Sequence, residues 1–242
     1  MMERYAHGYM QNTDVCLRTL NPMVSAMLQL QGNQDRHIVY NCDSYGFREG
    51  EIIHAKAERV AFGCSHTFGY ELENHLTWPF LLNAANFGVS GCSPQTVARL
   101  VTAWIPLLPA KTVFIILPES ARREIYNPQT ETYTHIQNWN LKQLATLMYK
   151  DVIAGHLEEN HWERIQLLFK EYPELDLFDD EKNQEIEQKC VVQIEEACRE
   201  KELILLRQSD LPEFDFTSRD GSHNGDVWNR KVSQLFKRRI EA

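Results

Sequence analysis

Residues 60–71 read VAFGCSHTFGYE. An apolar run stops at Gly63, and Ser65 follows between two glycines, Gly63 and Gly69. One turn residue is enough to end a strand, so a serine framed by two glycines is a serine being presented. Its hydroxyl is a poor nucleophile near neutral pH and needs a base to accept its proton. Near the C-terminus, DGSH puts Asp220 and His223 three residues apart on a loop. His223 suits the base, and Asp220 suits the group that fixes the imidazole tautomer and stabilises its charged form. A second glycine turn, NFGVSG, ends at Gly91, where the missing Cβ lets a backbone donor approach a substrate. With Ser65 as nucleophile, the N–H groups of Ser65 and Gly91 could hold a developing oxyanion. These are the parts of an acyl-transfer site. Each motif alone is weak, because Gly-x-Ser and Asp-Gly are ordinary turn sequences. Their order, and their places at strand ends, carry the inference.

The elements that must position these residues follow from hydropathy patterning. Strands are expected at roughly 59–63, 86–90, 111–117 and 202–207, alternating with helices. That alternation predicts an α/β fold, a central parallel sheet with helices on both faces. KTVFIILPES is a continuous β-branched run, and KELILLRQSD is a second. SPQTVARLVTAWIPLL opens on Ser-Pro and carries apolar residues at helical spacing, while HLTWPFLLNAA reads as a short helix. The last fifteen or so residues form an amphipathic helix with Val227, Val232, Leu235, Phe236 and Ile240 inward. Upstream, HIVYNC alternates like a half-buried strand, DSYGFREG is a turn, and EIIHAKAERVAFG holds two short strands. A single domain over 1–242 is expected, with a strand-and-loop extension over about 1–55 and a helical insertion or lid over about 127–180. After the insertion, DDEKNQEIEQKCVVQIEEACREKE reads as one charged amphipathic helix. Ligands of parallel sheets bind at the carboxyl ends of the strands, and there the serine turn, the Gly91 turn and the His223 loop converge.

Composition narrows the partners. A net charge of −9 argues against a nucleic-acid backbone as the main partner. The six cysteines include no Cys-x-x-Cys pair and no zinc spacing, so they read as reduced, mostly buried thiols. Cys64 and Cys92 flank the site and fit small packing residues better than redox sensors. His66 reads as a loop histidine, and Trp78 and Trp104 as packing aromatics. Nine scattered histidines show no paired spacing, so no metal and no cofactor are expected. No signal peptide is readable in MMERYAHGYMQNTD, and VFIILP is too short to span a bilayer. A cytoplasmic setting is the default expectation, with packaging in a virus particle left open.

Three blocks of the sequence resemble the SGNH hydrolases, the superfamily of GDSL-type lipases and esterases. GCSHTFG, Gly63 to Gly69, is similar to the first block, Gly-Asp-Ser-x-Thr-x-Gly. NFGVSG, Asn86 to Gly91, is similar to the second, Asn-x-Gly-x-x-Gly. DGSH, Asp220 to His223, is similar to the last, Asp-x-x-His before a C-terminal helix. NCDSYGFRE resembles the Asn-Ser-x-Gly-Phe-Arg stretch that precedes the first block in some members. The resemblance covers about residues 38–126 and 200–240 and implies a three-layer α/β/α, flavodoxin-like fold. It implies Ser65 as nucleophile, Gly91 as an oxyanion donor, and Asp220 with His223 completing a triad. Two departures stand out. Cys64 replaces the family's aspartate before the serine. The third block, Gly-x-Asn-Asp, is not visible, and ESARREIYN stands in its place. Its side-chain oxyanion donor is then missing, or is supplied by Ser120, Arg122, Arg123 or Asn127.

The leading expectation is a serine esterase acting on a small-molecule or glycan ester, such as an O-acetylated sugar. An O-acyltransferase uses the same chemistry with another acceptor. A degraded oxyanion hole would leave a binding module, and the acidic helical region would suit an assembly protein such as one in a virion.

Overall fold

The computed structural model describes residues 40, 42–43, 45–48, 56–127, 132–137, 166, 169–173, 176–215 and 223–241. Its centre is a parallel sheet of β1 (Arg59–Gly63), β2 (Ala85–Gly88), β3 (Thr112–Ile116) and β6 (Glu202–Leu206), in the order β2-β1-β3-β6. The register pairs Val60 with Ala85 and Val113, and Ile116 with Leu206. β1 to β3 carry buried side chains on both faces, as continuous apolar runs do in a covered parallel sheet. β6 lies at the edge and is only half-buried until Leu206.

The strand period of two splits the core into layers. Val60, Phe62, Val113 and Ile115 face helix α3 (Pro94–Trp104) and helix α4 (Asp180–Ala197). Ala61, Phe114, Ile116 and Leu206 face the short helix α2 (Trp78–Leu81) and the C-terminal helix α5 (Asp226–Ile240). The result is the three-layer α/β/α architecture that the alternation of elements predicts. α3 starts where Ser93 accepts from Thr96 N and Pro94 takes the first helical position. α4 starts at Asp179, whose carboxylate accepts from Lys182 N at 3.0 Å. Trp78 and Trp104 are both buried in these layers.

Two expectations need correction. Thr132–Ile136, near the start of the helical insertion expected over about 127–180, is a strand. β4 (Arg123–Asn127) pairs antiparallel with β5 (Thr132–Ile136), outside the central sheet. Val227 does not face inward: it is 47% exposed, and Trp228, Val232 and Phe236, at spacings of four, form the buried stripe of α5. The first of the two strands read in EIIHAKAERVAFG, most of the extension over 1–55 and most of the segment 138–175 lie outside the described residues. Among the described residues, no helix is long and apolar enough to cross a membrane.

Candidate active site

The serine sits on a turn that its neighbours specify. Gly63 has φ +155°, and a Cβ there would stand 2.1 Å from Thr67 Oγ1 and 2.8 Å from the Ile116 carbonyl, so the position admits only glycine. Cys64 is extended, and a single helical turn, α1 (Ser65–Phe68), follows at once. The N–H groups of Thr67 and Phe68 both return to the Cys64 carbonyl at 2.9 Å. Gly69, at φ +75°, closes the turn by donating to the Ser65 carbonyl at 2.9 Å. Ser65 is 6% exposed, and its N–H belongs to the first turn, which has no intrahelical acceptor.

Two long-range braces hold this turn. Asn86 Nδ2 donates to the Thr67 carbonyl at 2.9 Å, and its Oδ1 accepts from Gly88 N at 2.9 Å. A Cβ on Gly88 would meet Phe68 N at 2.3 Å, so β2 and α1 touch backbone to backbone. Arg48 is the second brace. Its buried guanidinium donates to the carbonyls of Phe68 and Gly69, both at 2.8 Å, and of Leu72 at 2.6 Å. Asp43, in the same upstream stretch, accepts from Tyr45 N and Phe47 N at 2.9 Å and shapes the loop that delivers Arg48.

Gly91 lies beside this turn. Val89 donates to the Gly63 carbonyl at 2.9 Å, and Cys92 N returns to Val89 at 3.3 Å, which closes a tight turn with Gly91 at φ +75°. His223 enters from the far end of the sequence. Its ring is 4.8 Å from that of Tyr70 and 5.6 Å from that of His66. The loop is thereby brought onto the serine turn, although Ser65 Oγ makes no hydrogen bond among the described residues. Contacts of this kind often tighten only when substrate is bound. His66 itself stacks on Phe214 at 5.1 Å, and its Nδ1 is 3.4 Å from Asn224 Nδ2. Asp220 lies outside the described residues.

The four candidates for the missing donor separate clearly. Arg123 is turned away: it donates to the Ser120 carbonyl at 2.7 Å, to the Arg122 carbonyl at 3.1 Å and to Asn183 Oδ1. Ser120 is half-buried and lends its carbonyl to Arg123. Asn127 lies at the far end of β4, and its side chain is outside the described set. Arg122 has an 11% exposed side chain, and its Nε donates to Glu119 at 3.2 Å. Burial opposes its charge, yet the Glu119 carboxylate beside it helps to hold its pKa above the usual arginine value. Cys64 and Cys92 are fully buried, and burial, then Cys64, pushes the Cys92 thiol well up, so it stays protonated. Among the described residues no group of three or more His, Cys, Asp or Glu side chains is placed to hold a metal.

No protein-family model matches the chain, and neither does any curated protein. Solved structures do match. One is a lipolytic protein assigned to the G-D-S-L family from Desulfitobacterium hafniense DCB-2, 13% identical, covering 74% of this chain and 99% of its own, with a TM-score of 0.32. A second is a family 3 carbohydrate esterase of Clostridium thermocellum, 13% identical over 76% of this chain and 94% of that one, with a TM-score of 0.34. A third is a protein assigned as an acylhydrolase from Bacteroides fragilis NCTC 9343, 12% identical over 76% of this chain and 86% of that one, with a TM-score of 0.36.

Several supporting residues carry no local sequence signal. Asp215 N–H donates to Asn224 Oδ1 at 3.0 Å, while its carboxylate accepts from Gly225 N at 2.9 Å and Trp228 N at 3.2 Å. It caps α5 from outside the helix and fixes the chain on either side of His223. Gln137, just beyond β5, donates from Nε2 to the Gly91 carbonyl at 3.0 Å. Neither residue sits in a recognisable motif, and both act across space.

Proposed function

We propose that the protein is an ester hydrolase that works by acyl transfer to Ser65. The observation that supports this reading is that Ser65 sits on a glycine-framed turn at the end of β1 and the His223 ring packs on His66 and Tyr70 beside it. The resemblance of all three segments to the SGNH hydrolase blocks supports the same assignment. In the mechanism, Ser65 Oγ bonds to the substrate's carbonyl carbon while His223 takes its proton. The negative charge moves to the carbonyl oxygen, which accepts hydrogen bonds from the N–H groups of Ser65 and Gly91. Collapse of this intermediate expels the alcohol, protonated by His223, and water repeats the steps on the acyl-enzyme. Asp220 is assigned the role of orienting His223. Arg122 is the candidate for the third oxyanion donor, because its side chain is nearly buried while Arg123 is committed to Ser120 and Asn183.

The test is hydrolysis of p-nitrophenyl acetate and butyrate, together with labelling of Ser65 by a fluorophosphonate. Wild type is expected to turn over and to label once. Ser65→Ala and His223→Ala are expected to lose at least about 10³-fold in kcat while keeping the wild-type melting temperature. A folded wild type that neither turns over nor labels sinks the proposal. The absence of a Gly-x-Asn-Asp block from the sequence favours one competing reading, a pocket that holds an ester without cleaving it. Ligand binding unaffected by Ser65→Ala, without turnover, would identify that case.

A further inference from the structure

We propose that the β4–β5 hairpin is a clamp on the oxyanion loop, with Gln137 as the positioning residue for Gly91. This rests on the esterase reading given above. Gly91 is the most conformationally free residue type, and among the described residues its turn is closed from within by the 3.3 Å bond from Cys92 N to Val89. An oxyanion donor is useful only when it is held in place before the charge develops. The missing restraint comes from outside, where Gln137 Nε2 holds the Gly91 carbonyl at 3.0 Å. Glutamine and glycine are matched at this point, since a Cβ on Gly91 would stand 2.9 Å from that nitrogen.

Gln137 can do this because the hairpin behind it is fixed at its open end. Arg123 pairs with Ile136 across the two strands, so Arg122 and Gln137, the next residues out, leave the hairpin side by side. Arg123 is pinned to Ser120, and to Asn183 on α4. Glu124, one residue further in, is bound by Arg99 of α3, whose Nε donates to Oε2 at 3.1 Å, and has His135 Nε2 at 3.6 Å. The hairpin contributes no strand to the central sheet. Its open end delivers instead the Gln137 side chain to the Gly91 turn.

Gln137→Met removes the donor at similar length, and Gln137→Lys keeps one. In Gln137→Met, kcat for p-nitrophenyl esters is expected to fall about tenfold to hundredfold, with KM within about twofold and the melting temperature unchanged. Gln137→Lys is expected to recover most of that loss. Amide hydrogen exchange at Gly91 and Cys92, resolved by NMR, is expected to quicken about tenfold in Gln137→Met whether or not esters are cleaved. Unchanged exchange overturns the clamp. So does an unchanged kcat, an equal loss in both variants, or a loss carried by KM. A wild type that cleaves nothing while Gln137→Met still loosens the loop leaves the clamp standing and overturns the esterase reading instead.

Discussion

Arg122, the proposed third oxyanion donor, differs in chemistry from a neutral side-chain amide. A neutral side-chain amide offers one hydrogen bond to an oxyanion, whereas a guanidinium offers a planar fork with a permanent charge. Such a charge is stronger when water is largely excluded, and the Arg122 side chain is nearly buried. Among the described residues it pairs with Glu119, a carboxylate that is 57% exposed and therefore well solvated, so little of the charge is neutralised there. If Arg122 serves the oxyanion, Arg122→Gln lowers kcat for a neutral ester by about 10²-fold with little change in KM. Arg122→Lys then fails to restore the rate, because an ammonium cannot reproduce the fork. Steady-state kinetics on p-nitrophenyl acetate and on a succinate half-ester separate the roles. A rise in KM confined to the anionic ester would make Arg122 a substrate-recognition group and refute the oxyanion role. At this scale, Ser65, Gly91 and His223 stand out as candidates in the sequence because each is announced by its immediate neighbours: two glycines, a glycine turn, a DGSH loop. Arg48 was legible only as part of a resemblance, and its action on three carbonyls more than 19 residues away was not. Asp215 and Gln137 left no trace, because nothing local distinguishes a capping or bracing side chain from an ordinary polar one.

Among the elements, the hairpin is the one that periodicity failed to reveal. REIYN and TYTHI mix charged, aromatic and hydroxyl side chains on both faces, so no apolar alternation marks them as strands. Cross-strand pairs and side-chain anchors hold them instead. Tyr126 and Tyr133 face each other with ring centroids 5.0 Å apart, and Arg99 lies 3.7 Å over the Tyr133 ring. Glu124 is the central anchor, with a 5% exposed side chain. Burial alone would raise its pKa, but the interactions with His135 and Arg99 outweigh burial and hold it below the ordinary glutamate value. The sign of the linkage follows. The folded pKa is below the unfolded one, so ionised Glu124 stabilises the fold at every pH above the ordinary glutamate value of 4.5 and loses that contribution as pH falls through the lowered folded value. Glu124→Gln is therefore expected to cost about 1–3 kcal/mol near neutral pH, since it leaves the half-buried Arg99 without its carboxylate. The difference from wild type shrinks as pH falls below 4.5. Urea unfolding at pH 7 and pH 3.5 measures both. A difference that stays constant between the two would show that Glu124 acts through its shape and not its charge.

The whole molecule joins a site from the two ends of its described chain. His66 and Asn224, which approach within 3.4 Å, are 158 residues apart in sequence. The fold that brings them together was the most legible part, because β1 and β3 are unbroken apolar runs and α3 and α5 carry one apolar face each. The phase of α5 was misjudged at Val227 because the helix start is set from a distance, by Asp215 accepting from Gly225 N and Trp228 N. That start turns Trp228, Val232 and Phe236 onto the sheet, and Asn229 Oδ1 accepts from Trp78 N at 2.9 Å to lock α5 to α2. α5 thus does two jobs. It seals one face of the sheet, and its first turn anchors the chain beside His223. The two separate experimentally at Phe236, which is fully buried, stacks at 4.8 Å on Trp78 and meets Phe114 at 5.1 Å, ten residues beyond the anchored end. Phe236→Ala is expected to cost about 3–5 kcal/mol of stability through the cavity it leaves. The kcat per folded molecule is expected to stay within about twofold of wild type, because the cavity leaves the helix start and its cap in place. Labelling of Ser65, normalised to the folded fraction from circular dichroism, gives the comparison. A loss of labelling that exceeds the loss of folded protein would mean that the serine turn and the far end of α5 move as one body, and that the site is tuned by the core as a whole.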